Sequence, residues 1–181
     1  MLEFSSSVEQ IPRVGQYYQK RLKRLGIKTV RDIVFHFPHR YEDFSNLIPI
    51  AKAREGETFS FQGEILDLKN IRTFRKRMVL TQATLKDESG KLKVLWFNQP
   101  YLISTFKKGD LVCLSGKVTK KGGSMYLSSP AYEKLSTKYE IQDANYDLTH
   151  TGRLIPVYPE TEGLSSKWFR FIVKPILLEV K

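Results

Sequence analysis

Met78-Val79-Leu80-Thr81-Gln82-Ala83-Thr84-Leu85-Lys86, then Asp87-Glu88-Ser89-Gly90, then Lys91-Leu92-Lys93-Val94-Leu95-Trp96-Phe97 follow one another without interruption and decide the fold. The outer pieces alternate apolar with polar side chains, the period of a half-buried strand. The middle piece is turn chemistry, since Asp and Ser side chains bond nearby backbone and Gly tolerates unusual φ. Along the last piece Leu92, Val94 and Trp96 share one face, and Lys91, Lys93, Leu95 and Phe97 share the other. The first is the natural core face, which makes Trp96 structural and points Phe97 outward among lysines. Pro100 then breaks the strand and presents Tyr101 just beyond it.

Strands of the same character lie on either side. Thr58 to Leu68 alternates around Phe59, Phe61, Gly63 and Ile65. Tyr101 to Phe106 makes one or two helical turns, and Gly109-Asp110 is a turn. Leu111 to Lys120 and Met125 to Ser129 are strands joined by Lys121-Gly122-Gly123-Ser124. Five strands with a short helix between the third and fourth is the order of an OB-fold, a small Greek-key barrel. Gly63 and Gly116 fall inside strands, where barrels use glycine to bend. The expected fold is mainly β with flanking helices: a helical segment at 1–50, a five-stranded OB-fold barrel at 51–135, and a linker and helix at 136–181.

The N-terminal segment reads as two helices. Gln16 to Leu25 places Tyr18, Leu22 and Leu25 at helical spacing, and Gly26 is a stop. Thr29-Val30-Arg31-Asp32 has the pattern of a capping box, followed by an apolar stripe of Val30, Ile33, Val34 and Phe37 before Pro38. Ile11-Pro12-Arg13-Val14-Gly15 is similar to part of a helix-hairpin-helix, but Tyr17 stands where a second hairpin glycine belongs, and a packing helix pair is the simpler role. At the other end, a helix capped at Ser165 or Ser166 carries Trp168, Phe169, Phe171, Ile172, Val173, Ile176, Leu177, Leu178 and Val180. Apolar almost all round, it needs neighbours on several sides.

Composition narrows the function. The net charge is +11 over 181 residues. Residues 51–135 carry 16 basic and 8 acidic side chains, against 8 and 5 in 1–50 and 6 and 6 in 136–181. A basic middle segment suits a polyanion, although surplus surface lysine alone gives the same count. No apolar run approaches the ~20 residues that span a bilayer, and the first residues lack the pattern of a signal peptide. The single Cys113 excludes an internal disulfide and fits a reduced thiol in a cytoplasmic protein.

No catalytic constellation stands out. His36 and His39 have no Cys or acidic pair at metal-ligand spacing. Asp87 and Glu88 sit in a turn, and Ser115-Gly116-Lys117 lacks the spacing and the Ser/Thr of a phosphate loop. Binding features are stronger. Between the first two strands, Lys69-Asn70-Ile71-Arg72-Thr73-Phe74-Arg75-Lys76-Arg77 surrounds Phe74 with Arg72, Arg75, Lys76 and Arg77. Between the last two lie Lys120 and Lys121. In an OB-fold these loops flank the binding face, which Lys93 would also line. Phe97 and Tyr101 either stack on bases there or close the end of the barrel beneath the short helix.

Leu25-Gly26-Ile27-Lys28-Thr29-Val30-Arg31-Asp32 and Phe37-Pro38-His39-Arg40-Tyr41-Glu42-Asp43 resemble the N-terminal region of the bacterial RecG helicase family. Asp87-Glu88-Ser89-Gly90, Trp96-Phe97-Asn98, Ser115-Gly116-Lys117 and Leu154-Ile155-Pro156-Val157-Tyr158-Pro159-Glu160-Thr161-Glu162-Gly163-Leu164 recur in the same order as in that family. The resemblance runs from about Ile11 to the end of the chain. It implies a wedge domain that splits the arms of replication forks and Holliday junctions in DNA repair and recombination, with Phe97 and Tyr101 stacking on bases at the branch. The family's ATP and Mg site lies in motor domains that these residues do not contain, so no cofactor and no enzymatic activity are expected of them. The partners implied are branched DNA, helicase domains in cis, and single-strand binding protein, with no membrane. A generic single-strand-binding OB-fold or a protein-interaction module is the alternative.

Overall fold

Hydrogen bonding turns the alternating segments into a ring. β2 (Thr58–Arg72) pairs with β3 (Val79–Lys86), β3 with β4 (Lys91–Phe97), and β4 in parallel with β6 (Ser124–Ser128). β6 then pairs with β5 (Leu111–Lys121), and β5 returns to β2. With α3 (Leu102–Thr105) between β4 and β5, this is the OB-fold expected from the sequence. The computed structural model describes residues 2–73, 78–135 and 148–180.

Closing the ring requires β2 to serve two neighbours. Thr58 to Glu64 lie against β5 and Glu64 to Arg72 against β3, with a register shift between Ile65 and Asp67. Such a bulge bends a strand and sharpens its twist. Gly63 stands at the hand-over, where a Cβ would run into the carbonyl oxygen of Lys86. Inside, Phe61, Ile65, Leu85, Val94, Leu114 and Leu127 are fully buried. Trp96 is buried with them: its ring stacks on Phe106 at 5.8 Å and its Nε1 donates to the Pro130 carbonyl at 3.0 Å.

The Asp87 turn is tied to a distant segment. The Asp87 carboxylate accepts from the Ile50 N–H at 2.7 Å, from the Ser89 N–H and hydroxyl at 2.7 Å each, and from the Gly90 N–H at 2.8 Å. Partial burial works to raise its pKa, but these donors outweigh it and hold the carboxyl below the usual range.

The structure groups the chain into residues 43–154 and residues 1–42 with 155–181, a division that differs from the sequential one at 50 and 135. β7 (Ala131–Lys134) extends the sheet by pairing with β5 beyond β6. The Glu133 carboxylate then accepts from the N–H groups of Thr149 and His150 and from the Thr151 hydroxyl. The Gly152 N–H donates to Ser115 Oγ at 3.4 Å. Residues 148–153 thereby join the barrel unit and cover β5, whose Val112 to Gly116 are all buried. Burial pushes the Cys113 thiol up to about 11.

The other unit joins the two ends of the sequence in one core. Leu22 of α1 (Gln16–Arg24) and Val30 and Ile33 of α2 (Val30–Val34) pack with Phe169, Ile172 and Ile176 of α4 (Ser166–Glu179). Tyr18 stacks on Trp168 with ring centroids 4.7 Å apart. The capping box forms: the Asp32 N–H donates to Thr29 Oγ1 at 3.2 Å, and the Thr29 N–H to Asp32 Oδ2 at 2.9 Å. Ser165 caps α4 by accepting the Trp168 N–H. The stripe on α2 is shorter than expected, since the helix ends at Val34 and leaves Phe37 68% exposed. β1 (Arg40–Asp43) and β8 (Leu154–Val157) pair as a two-stranded ribbon where the chain passes from one unit to the other and back.

Gly63→Ala is expected to lower stability by ~1–3 kcal/mol in urea unfolding through overpacking. Gly90→Ala, whose Cβ would meet only Ile50 at an ordinary 3.6 Å, is expected to cost less than ~1 kcal/mol. A depressed carboxyl stabilises fully above its unfolded pKa, ~3.9, and the contribution is lost as pH falls through the lower folded value. Asp87→Asn is therefore expected to flatten the fall of the urea midpoint on acidification from about pH 5 to about pH 2.

Candidate nucleic-acid interface

β4 delivers its last residue to the outside of the barrel. Phe97 lies in register with Leu80, and Leu80 with Ile71, so the three form a row across β4, β3 and β2. Phe97 keeps 37% of its surface exposed. Its neighbour Trp96, on the opposite face, keeps none. The chain then turns sharply: Asn98 takes a left-handed φ of 54°, and its N–H donates to the Val79 carbonyl at 2.8 Å. Asn tolerates that conformation better than other residues with a side chain.

Tyr101 heads α3 and is 55% exposed. Its hydroxyl donates to Gln99 Oε1 at 2.9 Å. Burial, and next the adjoining Tyr101 phenol, push the Tyr132 hydroxyl up to about 12. The two aromatics thus leave the loop in different settings, Phe97 in the outer row of the sheet and Tyr101 beside Tyr132 of β7. Phe106, packed edge-on against Tyr132 at 5.0 Å, closes the barrel beneath them, a role the sequence left open for the exposed pair.

Polar groups on the inner side hold the loop. The Thr81 hydroxyl, fully buried, lies 2.9 Å from the Gln99 carbonyl and 2.7 Å from Asn70 Oδ1, and shares its proton between them. Asn70 Nδ2 donates to the Pro100 carbonyl at 3.2 Å. The sequence gives no role to Thr81, and it shows Asn70 only as a member of the Lys69–Arg77 basic segment. The available signal was slight: a Thr at a core-facing position in the series that also holds Ala83 and Leu85.

The basic residues separate into groups. Arg72 is exposed at the end of β2 opposite Val79, one step past the Leu80–Phe97 pair. Lys93 is exposed on the outer face of β4 between Thr84 and Tyr126. Lys120 and Lys121 are exposed opposite Met125 and Ser124. Because β6 runs parallel to β4, Ser124 falls at the Lys91 end of β4, about 20 Å from Phe97 at ~3.3 Å per residue. Arg72, Phe97 and Tyr101 therefore share one end of the barrel, Lys120 and Lys121 occupy the other, and Lys93 lies between. Phe74, Arg75, Lys76 and Arg77 lie outside the described residues. None of the ion pairs among the described residues uses Arg72, Lys93, Lys120 or Lys121.

A model of the RecG wedge domain matches residues 7–180. The chain belongs to the RecG wedge-domain family. It is 32% identical over 174 residues to the ATP-dependent DNA helicase RecG of Thermotoga maritima, covering 94% of this chain and 21% of that protein. It is 31% identical over 159 residues to the RecG helicase of Escherichia coli, covering 87% of this chain and 21% of that one. It thus spans about a fifth of the length of the curated relatives it matches. Its fold is similar, with a TM-score of 0.71 and 27% identity, to a structure described as RecG bound to a three-way DNA junction, over 96% of this chain and 23% of that one. In this wedge domain no described helix is long and apolar enough to cross a membrane, and the described residues bring no three His, Cys, Asp or Glu together as a metal-holding group.

The burial contrast along β4 separates structure from surface. Trp96→Ala is expected to cost ~3–5 kcal/mol in denaturant unfolding, as large core truncations do. Phe97→Ala is expected to stay within ~1 kcal/mol of the parent chain, because its ring stands in the outer row.

Proposed function

We propose that this wedge domain binds branched DNA and holds its strands apart at the branch point. The observation that carries the reading is the half-exposed aromatic pair, Phe97 and Tyr101, at one end of a barrel that also exposes Arg72 and Lys93, which enter none of the ion pairs among the described residues. It joins the likeness over 96% of the chain to a RecG structure described as bound to a three-way junction. An exposed ring offers a base ~1–3 kcal/mol of stacking. Arg72 at the same end and Lys93 on the outer face would neutralise phosphates, with Lys120 and Lys121 reaching the strand at the far end. Phe74, Arg75, Lys76 and Arg77, which closely follow Arg72 in the sequence, are proposed as further DNA contacts. The relatives are named as ATP-dependent DNA helicases, and we assign ATP and Mg chemistry, and with it strand translocation, to parts of such proteins outside these residues. The purified chain is expected to bind DNA without hydrolysing ATP. Helicase domains in cis and single-strand binding protein are the partners proposed beyond DNA, and the cytoplasm the compartment.

Titration of a forked duplex and of a single strand of equal length, each at two salt concentrations, tests this. The fork is expected to bind more tightly, and Phe97→Ala or Tyr101→Ala to weaken the fork complex about tenfold. Four phosphate contacts would give a slope of about −3.6 in log K against log salt. Equal affinity for the two substrates would establish a generic single-strand binder instead.

A further inference from the structure

We infer that Thr81 and Asn70 are positioning residues that fix the loop carrying Phe97 and Tyr101, and that branched-DNA binding depends on this latch. The inference rests on the reading of that pair as strand contacts. Two consecutive carbonyls of the loop, those of Gln99 and Pro100, each serve two donors. Gln99 O accepts the Leu102 N–H at 3.2 Å and the Thr81 hydroxyl at 2.9 Å. Pro100 O accepts the Ile103 N–H at 3.3 Å and Asn70 Nδ2 at 3.2 Å. The backbone bonds start α3 behind Tyr101, and the side-chain bonds tie that start to β2 and β3.

The helix cannot hold itself in place. α3 has four residues, the Tyr101 side chain at its N-cap accepts no N–H of its first turn, and the preceding Asn98 is in a left-handed conformation. A helix this short is unstable alone. Burial of Leu102 and Phe106 and the bond from Lys134 Nζ to the Thr105 carbonyl at 3.3 Å hold its body and far end, and Thr81 and Asn70 are the side chains that hold its start. Thr81 and Asn70 face each other across the β2–β3 pair in direct register, so the latch is built on the hairpin that also carries Leu80 and Ile71 beside Phe97. Both ends of the 97–101 loop are therefore referred to one rigid element. Rigid support of this kind lets exposed rings stack without first losing conformational freedom.

Thr81→Val keeps the shape of the side chain and removes the shared proton, while Thr81→Ser keeps the hydroxyl. Amide hydrogen exchange at Leu102 and Ile103 in the intact chain reads the latch without DNA. Thr81→Val is expected to raise their exchange about tenfold, the effect of one hydrogen bond, with Thr81→Ser near the parent. Fork affinity is expected to fall about tenfold in Thr81→Val and Asn70→Ala, with single-strand affinity within about twofold, and Thr81→Val is expected to add nothing in a Phe97→Ala/Tyr101→Ala background. Far-UV circular dichroism and the melting midpoint show whether each variant is folded; if Thr81→Val is not, Asn70→Ala, on a more exposed residue, carries the same measurements. Unchanged exchange at Leu102 and Ile103 overturns the latch. So does a Thr81→Val chain that binds forks like the parent while Phe97→Ala loses binding. If Phe97→Ala itself binds forks normally, the strand-contact reading fails, and the dependence of binding on the latch fails with it.

Discussion

β2 has to hydrogen-bond to β5 along one half and to β3 along the other, and the ring exists only because one strand does both. At the hand-over the backbones of β2 and β3 approach so closely that Gly63 has no room for a side chain. The bulge at Ile65 and Asp67 redirects the strand. From there β2 continues to Arg72, one step past the Leu80–Phe97 pair, and stays paired with β3 throughout. The aromatic pair proposed for the branch point, and Arg72, are arranged around this hairpin. The hairpin sets Leu80 beside Phe97, supplies Asn70 and Thr81 to the loop, and brings Arg72 to the same end.

The barrel separates support from contact by alternation. A strand puts successive side chains on opposite faces, so Trp96 can fill the core while Phe97, bonded to it, faces out. The inner face needs shape, and Trp96 meets that need with a stacked Phe106 and a satisfied Nε1. The outer face needs access and charge, and Lys91, Lys93 and Phe97 provide them. The loop after Phe97 departs from alternation, and there buried polar groups rather than apolar packing carry the geometry. A buried hydroxyl without a partner is costly, and Thr81 meets that need with Asn70 Oδ1 and the Gln99 carbonyl, which ties the loop to the sheet.

Much of this was legible in the chain itself. The strand order, the short helix, the capping box at Thr29, the cap at Ser165, and the opposite faces of Trp96 and Phe97 all follow from local periods and turn chemistry. Phe37 was misplaced because a stripe read at helical spacing carries no record of where the helix stops. By sequence, Arg72 and the pair Lys120 and Lys121 flank one binding face lined by Lys93, but the parallel pairing of β4 with β6 sets that pair a strand's length from Arg72.

The sequence by itself determined the OB-fold, the inward Trp96 and outward Phe97, and the basic character of the middle segment, because these depend on neighbours within a few residues. The tertiary structure decided what distant segments do to one another. It joined the first helices to α4 in one core, laid residues 148–153 over β5, and placed Thr81 and Asn70 under the Gln99 and Pro100 carbonyls. The physical reason is the same in each case: hydrophobic contact and hydrogen bonding between residues far apart in the chain leave no period in the sequence, and a lone Thr on a core face shows its partner only when the strands are in register.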